Sequence, residues 1–334
     1  MIFLISVKFE NGIIKKNKNA KVEQKTFKDL NILEKHIESY VEEFIGDIFA
    51  DEEESLIIIG KQTTNTARHR SDLIAIDAES GDLVLIEIKR DVNDIKGRGE
   101  TFVAQAIKYA SSLATINSLE ELVGLYAEYL DKRIDDSQKE SSLDMARRII
   151  YRDFEESKIN KDQRIVLIAS DFDDVSIASA TWLSEKGVNI KVIKLIPRLI
   201  NDELYIEHEV VLGKKDSPYI PFGEYKSKSS ESRSKITKTA LPRMPKLFEW
   251  GIIKKGDNVF IKRSKVIEES KAVVVDENTV KYNNKLISFN EWGQTVTGWS
   301  SIQIYKFVTV NDSLETLHDL RMRKLEEISD KDND

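Results

Sequence analysis

The chain has 334 residues, a third of them charged, with 58 acidic against 51 basic side chains and a formal net charge of −7. It contains no cysteine, which excludes disulfides and cysteine-ligated zinc, and its four histidines (His36, His69, His208, His318) are too scattered for a histidine-rich metal site. The length accommodates about two domains with a sizeable core, and neither a P-loop nor a dinucleotide fingerprint is present, so no nucleotide cofactor is expected.

Residues 1–7 are too short an apolar run for a signal-peptide core and read as a β-strand. No apolar stretch approaches transmembrane length, so a cytoplasmic protein with no membrane partner is expected. The helical pattern over 32–47 and the apolar run over 56–62 then lead into residues 68–90, R-H-R-S-D-L-I-A-I-D-A-E-S-G-D-L-V-L-I-E-I-K-R. Two β-branched-rich runs, 73–76 and 83–88, are separated by Glu79-Ser80-Gly81-Asp82, which is a strand–turn–strand signal. A turn centred near Ser80 sets residue 72 opposite residue 88, so Asp72 and Glu87 fall side by side at the open end. Because side chains alternate along a strand, Glu87 and Lys89 share a face.

Two carboxylates at one point can hold a hard divalent cation through oxygen ligands. A lysine beside such an ion can orient or help deprotonate a water. The run around Glu87 is apolar on both faces, as in a strand covered on both sides, and ionised groups there are costly unless paired or metal-bound. An ion pair of Glu87 with Lys89 or Arg90 meets that cost without any chemistry. A helix follows at 101–116, with apolar residues at 103, 106, 107, 110 and 113, and it carries Gln105 and Tyr109 on one face.

Asp72, Glu87-Ile88-Lys89 and Gln105-Ala-Ile-Lys-Tyr109, with helix 32–47 and strand 56–62 before them, resemble the PD-(D/E)XK nuclease motif and the Q-x-x-x-Y helix of its NucS-like and related branches. The likeness spans about residues 30–115, and Ser71 stands where the family's name-giving proline would be. It implies an α/β, restriction-endonuclease-like mixed sheet flanked by helices. It also implies Mg2+ (with Mn2+ able to substitute) held by Asp72, Glu87 and the Ile88 carbonyl, with Lys89 orienting the attacking water. Gln105 and Tyr109 would touch the substrate backbone or support the site. Glu34 best matches the acidic group that the first helix often adds, and Glu38, one turn on, competes with it. Arg68 and Arg70 stand where they could contact phosphates, or could be ordinary surface arginines.

Charge divides the chain: residues 1–213 sum to about −11, 214–240 to about +4, 241–311 to about +4 and 312–334 to about −4. Within the first block a charged helical stretch at 119–156 reads as an insertion over the site. A strand at 164–170, a helix near 175–186 and a strand at 188–196, ended by Pro197, complete a mixed α/β layer. Residues 214–240, rich in Ser and Lys, read as a flexible basic linker.

The unit from 241 to 325 shows a short helix near 247–251, strands at 258–262, 271–276, 279–282 and 285–287, a helix at 289–297 and a last strand at 304–310. An acidic tail, 326–334, follows. The pieces G-I-I-K-K-G-D, S-F-N-E-W-G-Q-T-V-T-G-W-S-S-I-Q-I-Y-K-F and S-L-E-T-L-H-D-L-R resemble the RAMA domain, a family associated with restriction enzymes and adenine methylation and thought to recognise modified DNA. On that likeness Lys254, Lys255, Lys262 and Arg263 would reach phosphates. Of the aromatics Trp292, Trp299 and Tyr305, Trp292 reads as core, and Trp299, in a Gly-Trp-Ser-Ser loop, as the stacking contact. The resulting expectation is a magnesium-dependent DNA endonuclease, a possible homodimer, directed to modified DNA for restriction or repair. The rival is a non-catalytic DNA-binding or regulatory protein on a nuclease fold.

Overall fold

A computed structural model describes residues 7–10, 13–16, 22–49, 54–64, 70–96, 100–133, 140–212, 241–263, 267–311 and 313–332. Strands β1 (Val7–Glu10) and β2 (Ile13–Lys16) form a two-stranded ribbon, and β3 (Val22–Gln24) joins the main sheet. Helices α1 (Glu34–Glu43) and α2 (Ile45–Ile48) precede β4 (Leu56–Thr64), β5 (Arg70–Asp77) and β6 (Leu83–Ile88). Then come α3 (Val92–Lys96), α4 (Phe102–Leu113), α5 (Leu119–Asp131), α6 (Ser142–Asp153), β7 (Arg164–Ala169), α7 (Asp174–Glu185), β8 (Asn189–Ile200) and β9 (Glu203–Leu212).

The main sheet is seven-stranded and mixed, in the order β3-β8-β7-β6-β5-β4 with β9 added on β8. β4, β5 and β6 are joined by antiparallel ladders, whereas β6, β7 and β8 are mutually parallel. Every residue of β6 and β7 is buried, which is why both read as unbroken apolar runs rather than alternating ones. Helix α4 covers β6 and β7, and α7 packs on α4 and β8, so the helices of the two parallel connections lie side by side on the sheet.

Two expectations shift here. The β5–β6 ladder pairs Leu73 with Ile86 and Ile76 with Leu83, so one step further sets Asp72 opposite Glu87 rather than residue 88. The turn is closed by the Asp77 amide on the Asp82 carbonyl, with Gly81 at φ 79°. Nor does Pro197 end β8. The β7 ladder stops at Lys194 and the β3 ladder begins at Arg198, so the residue without an N–H falls in the gap between two partners along that edge.

The second unit comprises α8 (Met244–Glu249), β10 (Asn258–Ile261), β11 (Ala272–Val274), β12 (Thr279–Tyr282), β13 (Lys285–Ser288), α9 (Phe289–Thr297), α10 (Ile304–Phe307), β14 (Val308–Val310) and α11 (Leu317–Asp332). Its five-stranded antiparallel sheet, β13-β12-β11-β10-β14, turns Val259, Ile261, Ala272, Val274 and Val280 inward onto Phe289 and the fully buried Trp292. The strand expected at 304–310 is a helical turn followed by a three-residue strand, and the tail expected from 326 continues α11. The linker at 214–240 lies outside the described residues.

The two units are joined by hydrogen bonds to the edge strand of the main sheet. The Leu56 amide donates to Ser301 Oγ (2.8 Å), the Ser301 amide donates to the Leu56 carbonyl (3.1 Å), and the Ile58 amide donates to Ser300 Oγ (3.0 Å). Gln303 adds its amide on Ser55 Oγ and its side-chain amide on the Glu54 carbonyl. An open strand edge is a liability, and residues 300–303 cover this one. Helices α5 and α6, expected to lie over the site, pack on each other; α5 also packs on β4, and the C-terminal end of α6 receives the second unit. Among the described residues no helix is long and apolar enough to cross a membrane.

Candidate functional site

The carboxyl end of β6 delivers Glu87 and Lys89 to one face, and β5 delivers Asp72 beside them. Asp72 Oδ2 accepts the Ile88 amide at 2.7 Å, which fixes its carboxylate across the open end of the hairpin. Helix α1 lies above, with Glu34 and Glu38 one turn apart. Carboxylate oxygens of Glu34, Glu38 and Asp72 all lie within 4.8 Å of one another, a spacing one cation could bridge. Both candidates from the first helix therefore reach the site. From below, α4 sends up Gln105, whose side-chain amide lies 3.4 Å from Glu87 Oε2 and 3.2 Å from the Tyr109 hydroxyl.

Lys89 is 2 % exposed, and its ammonium occupies the centre of this group. It donates to the Ile88 carbonyl at 2.7 Å and stands 3.4 Å from Glu34 Oε1 and 3.8 Å from Asp72 Oδ2. It also lies 5.3 Å over the Phe102 ring. The Ile88 carbonyl, expected as a metal ligand, thus already faces a cation. Glu87 is fully buried, and its Oε1 has no hydrogen-bond partner.

The electrostatics follow from that crowding. Burial, then the neighbouring Asp72 charge, pushes the Glu87 carboxyl far up, against a smaller lowering by Lys89. Burial also raises Asp72, while Lys89 and the Ile88 amide pull it back and Glu38 and Glu34 push it up. With Glu87 pushed toward its neutral form, one lysine still faces three further carboxylates, Glu34, Glu38 and Asp72, so the group retains acidic oxygen donors and a deficit of positive charge. That donor set fits a hard divalent ion: Asp72, Glu34 and Glu38 could ligate it directly, and Glu87, outside that group of three, neighbours Asp72.

The remaining expected residues fall elsewhere. Arg68 lies outside the described residues. Arg70 is exposed at the start of β5, and Lys254 and Lys255 are exposed in the turn before β10. Trp299 requires correction. It is 3 % exposed, its indole N–H donates to Asp153 Oδ2 at 2.8 Å, and its ring meets Phe307 edge-on. No face of it is left for a base, because the Gly-Trp-Ser-Ser loop is spent on the contact with α6 and β4. Tyr305 is half-buried, accepts the Met244 amide and lies against the Arg321 guanidinium.

Two participants had no signal in the sequence. Gln62, in the left-handed region at φ 49°, follows an irregularity in β4 and donates to Glu38 Oε2 at 2.8 Å. Phe102 walls the lysine. A further turn along α1, Glu42 accepts the Tyr129 hydroxyl (2.8 Å), Lys61 (2.9 Å) and Arg133 (2.5 Å), so the acidic stripe of α1 ends in a neutralised group. Comparison with known proteins finds no matching family model, no matching curated protein and no matching solved structure.

Proposed function

We propose that this protein is a metal-dependent DNA endonuclease of the PD-(D/E)XK type on a restriction-endonuclease-like fold, hydrolysing phosphodiester bonds in restriction or repair. The observation that carries the reading is the convergence of Glu34, Glu38 and Asp72 above a buried Glu87 with a bare oxygen, beside a buried lysine. A structural ion cluster balances its charges, and this one does not. A magnesium ion held by Asp72, Glu87 and one of the α1 glutamates would supply positive charge to the scissile phosphate and lower the pKa of a bound water. Lys89 would shift from its carboxylates to orient that water and to meet charge developing on the phosphate. Gln105 and Tyr109 hold Glu87 in place from below, and Gln62 does the same for Glu38.

Supercoiled plasmid, methylated and unmethylated, incubated with Mg2+, Mn2+ or Ca2+ and resolved on a gel, tests the reading. Nicking or linearisation is expected with the first two. Calcium, larger and more flexibly coordinated, is expected to permit binding with little turnover. One observation favours a second reading. The Lys89 ammonium already sits against the Ile88 carbonyl and two carboxylates, as it would in a non-catalytic DNA-binding protein on the same fold. DNA binding without cleavage under any metal selects that reading.

A further inference from the structure

With the Trp299 loop consumed by the contact between units, the outer face of the second unit's sheet remains exposed. Register places Val273 opposite Asn258 and Lys281, and Lys281 opposite Leu286, and one step beyond the β10–β11 ladder sets Lys271 opposite Phe260. The inward set on these strands is Val259, Ala272, Val274 and Val280, so Phe260, Lys271, Val273, Lys281 and Leu286 share the outer face. Lys262 continues the alternation of β10 on that side. Within the whole chain Lys262, Lys271 and Lys281 remain exposed, as do Val273 (37 %) and Leu286 (65 %). The three lysines step diagonally across adjacent strands at about 7–8 Å per step, the spacing of diagonal cross-strand neighbours. Among the described residues no ion pair is formed by any of them. Among the described residues, the Lys262 charge acts on Asp319, Glu269 precedes β11, and Asp276 and Glu277 lie in the β11–β12 turn.

We propose that this outer sheet face, centred on Lys271, Val273, Lys281 and Leu286 with Lys262 at its edge, docks the sugar–phosphate backbone of duplex DNA. Charge complementarity selects the partner: a line of unneutralised ammonium groups on a sheet whose stretch of chain, 241–311, sums to about +4 inside an acidic protein, the compensating acids lying in the C-terminal segment that follows it. The form of DNA follows from the face, which offers one half-buried aromatic, Phe260, and so no platform for stacking successive unpaired bases. Contacts of this kind position a duplex without reading its sequence. The proposal rests on the reading of DNA as substrate and places its anchoring on a surface away from the carboxylates.

The test uses the full-length protein and a fluorescein-labelled duplex, with anisotropy measured in Ca2+ across a salt series. The variant Lys262→Gln/Lys271→Gln/Lys281→Gln alters only exposed side chains, and its fold is checked by its melting curve. Binding is expected to weaken at least tenfold at 0.1 M salt, and the log–log salt slope to become shallower by about 3, close to one unit per lost phosphate contact. Unchanged affinity and slope, beside a parent that binds, overturns this proposal and leaves the nuclease reading standing. A parent that binds through these lysines but never cuts sinks the nuclease reading and supports the docking face. A variant that loses polyglutamate binding while keeping duplex binding also overturns the proposal and assigns the face to an acidic protein.

Discussion

Two buried carboxylates, Glu87 and Asp153, show opposite ways of keeping an acid out of water. Asp153 receives Arg152 Nε at 2.8 Å, Arg152 Nη2 at 2.6 Å and the Trp299 indole at 2.8 Å, so the guanidinium pairs with both oxygens and the indole adds a second donor to one. Glu87 has one long contact from Gln105, an unanswered oxygen and further acids close by. The first arrangement suits a joint between two units. The second is stable only because the surrounding core imposes it, and such local cost concentrates where a fold does chemistry. Asp153 therefore serves the joint, and on the proposed reading Glu87 serves the site, so substitutions at the two should affect different measurements.

The largest divergence is expected in cleavage. Glu87→Ala or Asp72→Ala should bring plasmid cutting down by at least about a hundredfold, as expected when a group acting at developing charge is removed, with circular dichroism unchanged. Lys89→Ala should lose cleavage while retaining duplex binding, as read by anisotropy. At the joint the order reverses. Trp299→Ala leaves a large cavity between α6 and the second unit and should cost about 3–5 kcal/mol in denaturant unfolding. Asp153→Ala strands a partly exposed Arg152 and an indole N–H, and should cost about 2–4 kcal/mol. The folded fraction of either joint variant should still cut DNA.

The smallest effect is the most diagnostic of Glu87. Its carboxyl ordinarily titrates near 4.5 and is raised to about 9 in the fold. A raised acid favours folding below its unfolded pKa, and that contribution is lost as pH climbs toward the folded value. Metal-free protein should therefore melt at a lower temperature at pH 8 than at pH 5. Glu87→Gln should flatten that slope, raise the melting point at pH 8 and stabilise the fold there by roughly 1–3 kcal/mol, the penalty of other unsatisfied buried groups. A melting point that Glu87→Gln leaves unchanged at pH 8 would erase the contrast with Asp153.

What was legible in the sequence was local. The apolar runs of β5 and β6, the period of α4 and the N-cap chemistry of Ser288 before α9 each state their element within a few residues. The acidic hairpin was legible too, because Asp72, Glu87 and Lys89 depend only on a turn and an alternation. The one-residue register error came from the turn, where the Asp82 carbonyl rather than the centre at Ser80 fixes the pairing. What escaped was long-range. Nothing near Ser300 or Ser301 says that their partners are Ile58 and Leu56, 242 and 245 residues away. Without that contact a Gly-Trp-Ser-Ser segment has the composition of an exposed loop. Gly298, which ends α9 at φ 76° against Ile149, is what turns the chain into the joint. Gln62 was silent for the same reason: its role depends on an irregularity in β4 that no periodicity announces.

The central claim is that the crowded carboxylates at the end of β6 form a site for a divalent cation, and calorimetric titration of Mn2+ into the metal-free protein at pH 8 tests it most directly. The account predicts saturable binding by the parent, a higher melting temperature on loading, and loss of both in Asp72→Ala. Absence of Mn2+ binding by the parent, or equal binding by Asp72→Ala, would contradict it.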